Sequence, residues 1–284
     1  MPFPVAVLPY GLQRRLGELS TPNERYHLQV AGGKVSICPP RLQPARNFGR
    51  LEFQWKNAKF GIYSYGVGTY RKMRVLPENV VLACYGYLII SGLDEHLLPN
   101  DKLDRFVLRP PTLDMFECNI EKRLLEKLPP LTCASVKNLT LNSAMNENVI
   151  NLEDVLNTFP NVENVVIHNI RLPKKWMAEV LRVKDKKLMQ LMLSGFTDEF
   201  MFFTYHDLRY FLMTQKKGFR LLLHLHHVTD FELKQAIMKL SKTLDSRFVR
   251  NDGLESKGTA VVICYNGNQT GSGTWILPGV DDEI

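Results

Sequence analysis

Val136-Lys137-Asn138-Leu139-Thr140-Leu141, Val162-Glu163-Asn164-Val165-Val166-Ile167 and Leu188-Met189-Gln190-Leu191-Met192-Leu193 share one pattern, φ-x-x-φ-x-φ, with φ an apolar residue. Each copy starts 26 residues after the one before it. A period of this size marks stacked repeats, whose single unit cannot bury its apolar face alone and leans on its neighbours. Two imperfect copies flank the three. Leu103, Phe106 and Leu108 lie upstream; Arg220, Leu223 and Leu225 lie downstream, with a charge at the first φ.

Between the copies the period changes to that of a helix. Asn119 precedes Ile120, Leu124, Leu125 and Leu128, and Pro129-Pro130 predicts a stop. Asn151 is placed to cap a helix carrying Leu152, Val155, Leu156 and Phe159, with Glu153 and Asp154 at the positive end of the helix dipole and Pro160 at its close. Pro173 precedes Trp176, Val180 and Leu181, and Thr204 precedes Leu208, Phe211 and Leu212. Thr229-Asp230 caps a last helix with Leu233, Ile237, Leu240 and Leu244 in line. The unit is therefore a strand followed by a helix.

This unit resembles a leucine-rich repeat, L-x-x-L-x-L-x-x-N. Ala144, Ile170 and Phe196 stand where that family has its Asn, so apolar packing has to hold the turns together. The resemblance implies an α/β solenoid, a parallel sheet backed by helices, over residues 96–245. A helical segment (1–45), a β-rich insert (46–95) and a C-terminal strand and hairpin cap (246–284) complete the expected organisation.

In the first segment Leu8, Leu12, Leu16 and Leu19 fall on one helix face, and Pro9 occupies the opening turn, where its missing N–H is not needed. Ser20-Thr21-Pro22 ends that helix; a second one carries Glu24, Tyr26, Leu28 and Val30 until Gly32-Gly33. The series Leu8-Pro9-x-x-Leu12-x-x-x-Leu16-x-x-Leu19-x-x-Pro22-x-Glu24-Arg25-x-x-Leu28-x-x-Ala31 resembles the start of an F-box. Such a motif docks on the small adaptor subunit of cullin-type ubiquitin ligases, and the domain behind it holds the substrate. Gly32-Gly33 and Ile37-Cys38-Pro39-Pro40 cut the motif short of a third helix. The whole layout, with its Trp275-Ile276-Leu277-Pro278-Gly279 ending, resembles the nematode F-box-like families. The resemblance implies adaptor binding through Leu8, Pro9, Leu12, Leu16 and Leu19, and an unknown protein substrate on the repeats.

From Arg50 the period is two. Leu51, Phe53 and Trp55 alternate, Lys56 to Lys59 turn the chain, and Phe60 and Ile62 resume, with Tyr63 and Tyr65 opposite: a β-hairpin. Val80 to Ile90 is a further strand or pair of strands. The Gly66-Val67-Gly68-Thr69 turn lacks the Gly-Lys-Ser/Thr ending of a phosphate loop. At the C-terminus Phe248-Val249, Thr259 to Tyr265 and Thr274 to Leu277 read as strands around a loose loop, an end piece that covers the open edge of the sheet.

No chemistry is written in the chain. There is no nucleophile elbow, zincin helix or nucleotide fingerprint, so the sequence reads as non-enzymatic and cofactor-free. His224 and His226 share a strand face beside His227, but no third ligand is identifiable, and no metal is expected. Five cysteines without a C-x-x-C pair argue against a disulfide framework or a zinc knuckle. A net charge of +7 is carried by scattered basic pairs, which does not favour nucleic acid. With no long apolar run and no basic n-region at the N-terminus, no membrane is expected and the location is cytoplasmic or nuclear.

What remains is a surface. Residues alternating with the second and third φ face outward and stack into three rows. The rows are Arg105, Asn138, Asn164, Gln190 and Leu222; Val107, Thr140, Val166, Met192 and His224; and Arg109, Asn142, His168, Ser194 and His226. Amide, apolar and hydrogen-bonding rows side by side suit a protein segment. The readings that follow are a ligase substrate adaptor, a repeat-based scaffold without a ligase and, behind both, a nucleic-acid binder.

Overall fold

The computed structural model describes residues 7–32, 42–57, 59–66, 69–73, 80–93, 103, 105–143, 149–183, 187–195, 203–228, 231–251, 258–267 and 271–278. The protein is α/β, built on one open and mostly parallel sheet of thirteen strands among these residues. The strands are β1 (Ala45–Lys56), β2 (Lys59–Gly66), β3 (Thr69–Lys72), β4 (Val81–Ser91), β5 (Phe106–Leu108), β6 (Thr112–Phe116), β7 (Asn138–Asn142), β8 (Asn164–His168), β9 (Gln190–Gly195), β10 (Arg220–Val228), β11 (Val249–Arg250), β12 (Ala260–Gly267) and β13 (Gly271–Ile276). Their order is β11-β13-β12-β10-β9-β8-β7-β6-β4-β1-β2-β3, with β5 beside the start of β4. Strands of all the expected segments thus pair into the same sheet, and Val81–Ser91 is a single strand.

The helices are α1 (Tyr10–Leu19), α2 (Pro22–Gly32), α3 (Lys122–Thr132), α4 (Leu152–Thr158), α5 (Trp176–Arg182), α6 (Tyr205–Thr214) and α7 (Phe231–Asp245). From β6 to β10 the strand order never reverses, so right-handed crossovers put α3 to α6 on one face. Their apolar stripes, Leu124 and Leu128, Val155 and Leu156, Trp176 and Val180, Leu208 and Phe211, join Leu113, Leu139, Val165, Leu191 and Leu221 of the sheet in one core.

The 26-residue period holds this region in register. Asn138 pairs with Asn164 and Asn164 with Gln190. Below each strand one carbonyl accepts two N–H groups from the next turn: Pro111 from Lys137 and Asn138, Lys137 from Glu163 and Asn164, Glu163 from Met189 and Gln190. At the exits Glu117 N–H reaches Asn142 C=O at 2.9 Å and Asn169 N–H reaches Ser194 C=O at 2.8 Å. Backbone bonds therefore tie the turns where the Asn of a leucine-rich repeat would. Ile170, at that position, is buried in the core.

Asn151 caps α4 as expected, accepting from Glu153 N–H (2.9 Å) and Asp154 N–H (3.2 Å). Thr204 and Asp207 form a reciprocal capping box on α6, and Thr21 with Glu24 does the same for α2. The C-terminal hairpin β12–β13 extends the sheet beyond β10, and Trp275 Nε1 is anchored on Asp245 at 2.7 Å.

Four expectations need correction. The copy next to Val136-Leu139-Leu141 is not Leu103-Phe106-Leu108, because β7 pairs with β6 and places Leu113 and Met115 opposite Leu139 and Leu141. Arg105, Val107 and Arg109 therefore leave the rows; β5 pairs with β4, and Val107 is 1% exposed against Tyr26 of α2. Downstream the level slips by two: Gln190 pairs with Arg220, Met192 with Leu222 and Ser194 with His224. Leucines at 221, 223 and 225 all face the core, so alternation fixes the face without fixing the level. Finally, α3 starts at Lys122 with Glu121 at its N-cap rather than at Asn119, and it runs through Pro129 and Pro130. Its last turn is closed instead by Thr132 Oγ1 on Leu128 C=O (3.0 Å) and Ala134 N–H on Pro129 C=O (3.1 Å), with Cys133 left-handed at φ 50°. Ala144, Phe196, the Gly33 and Ile37–Pro40 stops, Val67-Gly68 and the Thr229-Asp230 cap lie outside the described residues.

Candidate functional site

The face of the sheet turned away from α3–α6 carries the polar residues that the helices do not need. With the register observed, its first row is Thr112, Asn138, Asn164, Gln190 and Arg220. Asn164 Nδ2 donates to Asn138 Oδ1 at 2.7 Å, and Asn138 Nδ2 donates to Thr112 Oγ1 at 3.2 Å, so the amides run as a ladder across three strands. The second row is Asp114, Thr140, Val166, Met192 and Leu222, and the third is Phe116, Asn142, His168, Ser194 and His224. Most of these side chains are half-buried.

Ser194 stands between two imidazoles, with His224 Nδ1 3.4 Å from its Oγ. Burial, followed by the neighbouring His224, holds the His168 imidazole below its usual pKa, so it is neutral at pH 7. Ser194 itself is 1% exposed.

The same face continues into β4, β1 and β2, where an acid–aromatic network lies level with the rows. Arg50 pairs with Tyr87 and Glu52 with Ile89, which in turn face Thr112 and Asp114. The Arg50 guanidinium lies over the rings of Tyr65 (4.1 Å) and Tyr87 (5.0 Å). Tyr65 OH donates to Glu52 at 2.6 Å, Ser91 donates to its other oxygen at 3.4 Å, and Tyr87 OH donates to Asp114. Glu52 (7% exposed) and Asp114 (6% exposed) are thus buried carboxylates held by phenols. Burial, followed by the bond to Asp114, pushes Tyr87 up to about 12; burial, then the bond to Glu52, does the same to Tyr65.

None of these acids stands out in the sequence. The signal that finds Asp114 is the 26-residue step itself: Pro110, Leu113 and Met115 precede Val136, Leu139 and Leu141 by that distance. Glu52 is the polar partner of the Leu51-Phe53-Trp55 alternation, with no local mark of its role.

The N-terminal hairpin presents a second surface. α1 turns Gln13 and Gly17 inward, while Leu12 is 57% and Leu19 69% exposed, beside exposed Pro9 and Tyr10. Leu8 and Leu16 are half-buried and pack with Leu28 of α2. On its other side α2 meets the sheet through Tyr26, which covers Val81, Ala83 and Val107 and bonds Tyr85 at 3.1 Å.

Of the partner residues expected from the sequence, Asn138, Asn142, Asn164, His168, Gln190, Met192, Ser194 and His224 share the face turned away from α3–α6. Arg105 and Arg109 flank β5, away from the rows, and His226 lies on β10 one level above His224, with its side chain outside the described set. Among the described residues no three His, Cys, Asp or Glu side chains gather as a metal site, and no helix is long and apolar enough to cross a membrane. No protein-family model matches the chain, and neither does any curated protein or any solved structure.

Proposed function

We propose that this chain is a non-enzymatic recognition module of the leucine-rich-repeat kind, a substrate adaptor of a cullin-type ubiquitin ligase. In this reading the sheet face turned away from α3–α6 holds a protein substrate, and α1 docks on the small adaptor subunit. The observation that carries it is the inverted amphipathicity of α1: a ten-residue helix that buries Gln13 and Gly17 and leaves Leu12 and Leu19 in water. Exposed leucines in line on one helix are unfavourable for an isolated monomer and favourable at an interface. The polar ladder and half-buried apolar second row are consistent with the other half of the reading, since a partner segment finds both hydrogen-bonding and apolar positions there.

Co-purification of the tagged full chain with the recombinant adaptor subunit tests it. The wild type should retain the adaptor and the Leu12→Glu/Leu19→Glu double variant should lose it; a wild type that retains none sinks the ligase reading. The packing of Leu8 and Leu16 on Leu28 favours a second reading, in which the hairpin is an internal strut of a scaffold. A partner held through Asn138 and Asn164, with no adaptor ever recovered, would point to that.

A further inference from the structure

The sheet has a notch. β5 is three residues long and pairs with β4, but β7 begins its pairing only at β6. Arg105 C=O accepts from Leu82 N–H and Arg109 N–H donates to Cys84 C=O, each at 2.9 Å. The intervening Phe106 and Leu108 therefore aim their N–H and C=O groups away from β4, at an edge that no strand of the described residues occupies. One of these groups is taken: Asn23 Nδ2 of α2 donates to Phe106 C=O at 2.9 Å, standing where a neighbouring strand's amide would. The N–H of Phe106 and both groups of Leu108 meet no partner among the described residues.

A cavity of about 310 Å³ lies against this edge. Its apolar lining comes from Leu103, Phe106, Leu108 and Leu131, and α2 supplies Asn23 and His27. Asn23 Oδ1 and His27 Nε2 are both shut from water without a hydrogen bond. Orphaned polar atoms in a folded protein are costly and mark a group that something else satisfies. Burial and the Arg109 charge keep the His27 imidazole neutral, so it meets a neutral partner group at no charge cost.

We propose that this notch takes a short extended peptide segment of a partner protein, added as a strand along β5. An amide N–H of the segment serves Asn23 Oδ1, its carbonyl accepts from Leu108 N–H, and the alternate side chain drops into the apolar cavity. The site is separate from both the sheet face and the leucines of α1. It joins α2 to the sheet, so a bound segment would also fix how the hairpin sits on β5.

The test probes the full chain with an arrayed library of N-acetylated, C-amidated decapeptides, followed by an N-methyl scan of the tightest peptide. The expected result is selection of peptides with one apolar anchor, and loss of about tenfold in affinity on N-methylation at the bonding position, with its neighbours tolerant. Asn23→Leu, which keeps the bulk and removes the acceptor, should weaken the same peptide by several fold, and amide exchange at Leu108 should slow on binding. No peptide preferred by wild type over Asn23→Leu, or equal tolerance to N-methylation at every position, overturns the proposal whether or not that variant is fully stable.

Discussion

α1 and α3 are helices of nearly equal length with leucine stripes at the same spacing, and the protein uses them in opposite ways. α3 drives Leu124, Leu125 and Leu128 into the core above β6 and β7. α1 turns its Leu12 and Leu19 outward and spends its buried side on a glutamine and a glycine, with Gln13 Nε2 bonded to Leu8 C=O at 2.8 Å. An apolar period therefore says that a helix has a face to hide, without saying whether its own chain hides it. The difference separates a helix that carries the fold from one that, on the function proposed, is kept for a partner.

Truncating the buried stripe should have the largest effect. Leu128→Ala leaves a cavity under a fully enclosed side chain and should cost about 2–5 kcal/mol, measured by urea unfolding. Next comes the acid–aromatic network on the sheet face turned away from α3–α6. Tyr87→Phe removes the phenol that holds the buried Asp114 carboxylate and should cost about 1–3 kcal/mol. The network also sets an alkaline limit. Tyr65, Tyr70 and Tyr87 are raised from 10 to about 12 by burial and by the nearby carboxylates, so the folded state holds their protons more tightly than the unfolded chain. That contribution is whole below pH 10 and is lost as the pH rises towards 12; the Tyr65→Phe/Tyr87→Phe variant should show a flatter stability profile there. Asn151→Ala, which strips two N–H groups of their cap, should cost about 1 kcal/mol. The smallest change belongs to α1: Leu12→Glu/Leu19→Glu should shift stability by no more than about 0.5 kcal/mol, since both side chains are mostly exposed.

The contrast also explains what the sequence yields. The three copies at 136, 162 and 188 give β7, β8 and β9 with their aliphatic core residues and outward amides, because a strict step leaves one register. Upstream the step continues, with Pro110 at the first apolar position, but downstream it changes, and leucines at every second position of β10 satisfy the pattern at more than one level. The level is set by backbone bonds below the strands, which side-chain spacing does not encode. Pro129-Pro130 misleads as well: α3 runs through both prolines and ends only at the left-handed Cys133, with Thr132 Oγ1 on Leu128 C=O. Asp114 and Glu52 become visible only when strands distant in the chain are laid side by side. For α1 the stripe is plain in the residues, but its exposure is a property of what surrounds it.

The claim that α1 is reserved for a partner is tested most directly by titration calorimetry of the full chain with the adaptor subunit at several temperatures. The account predicts saturable binding with a negative heat-capacity change, the mark of buried apolar surface, and its loss in Leu12→Glu/Leu19→Glu while the unfolding midpoint stays in place. Binding unaffected by that variant, or no heat from the wild type at all, would contradict it.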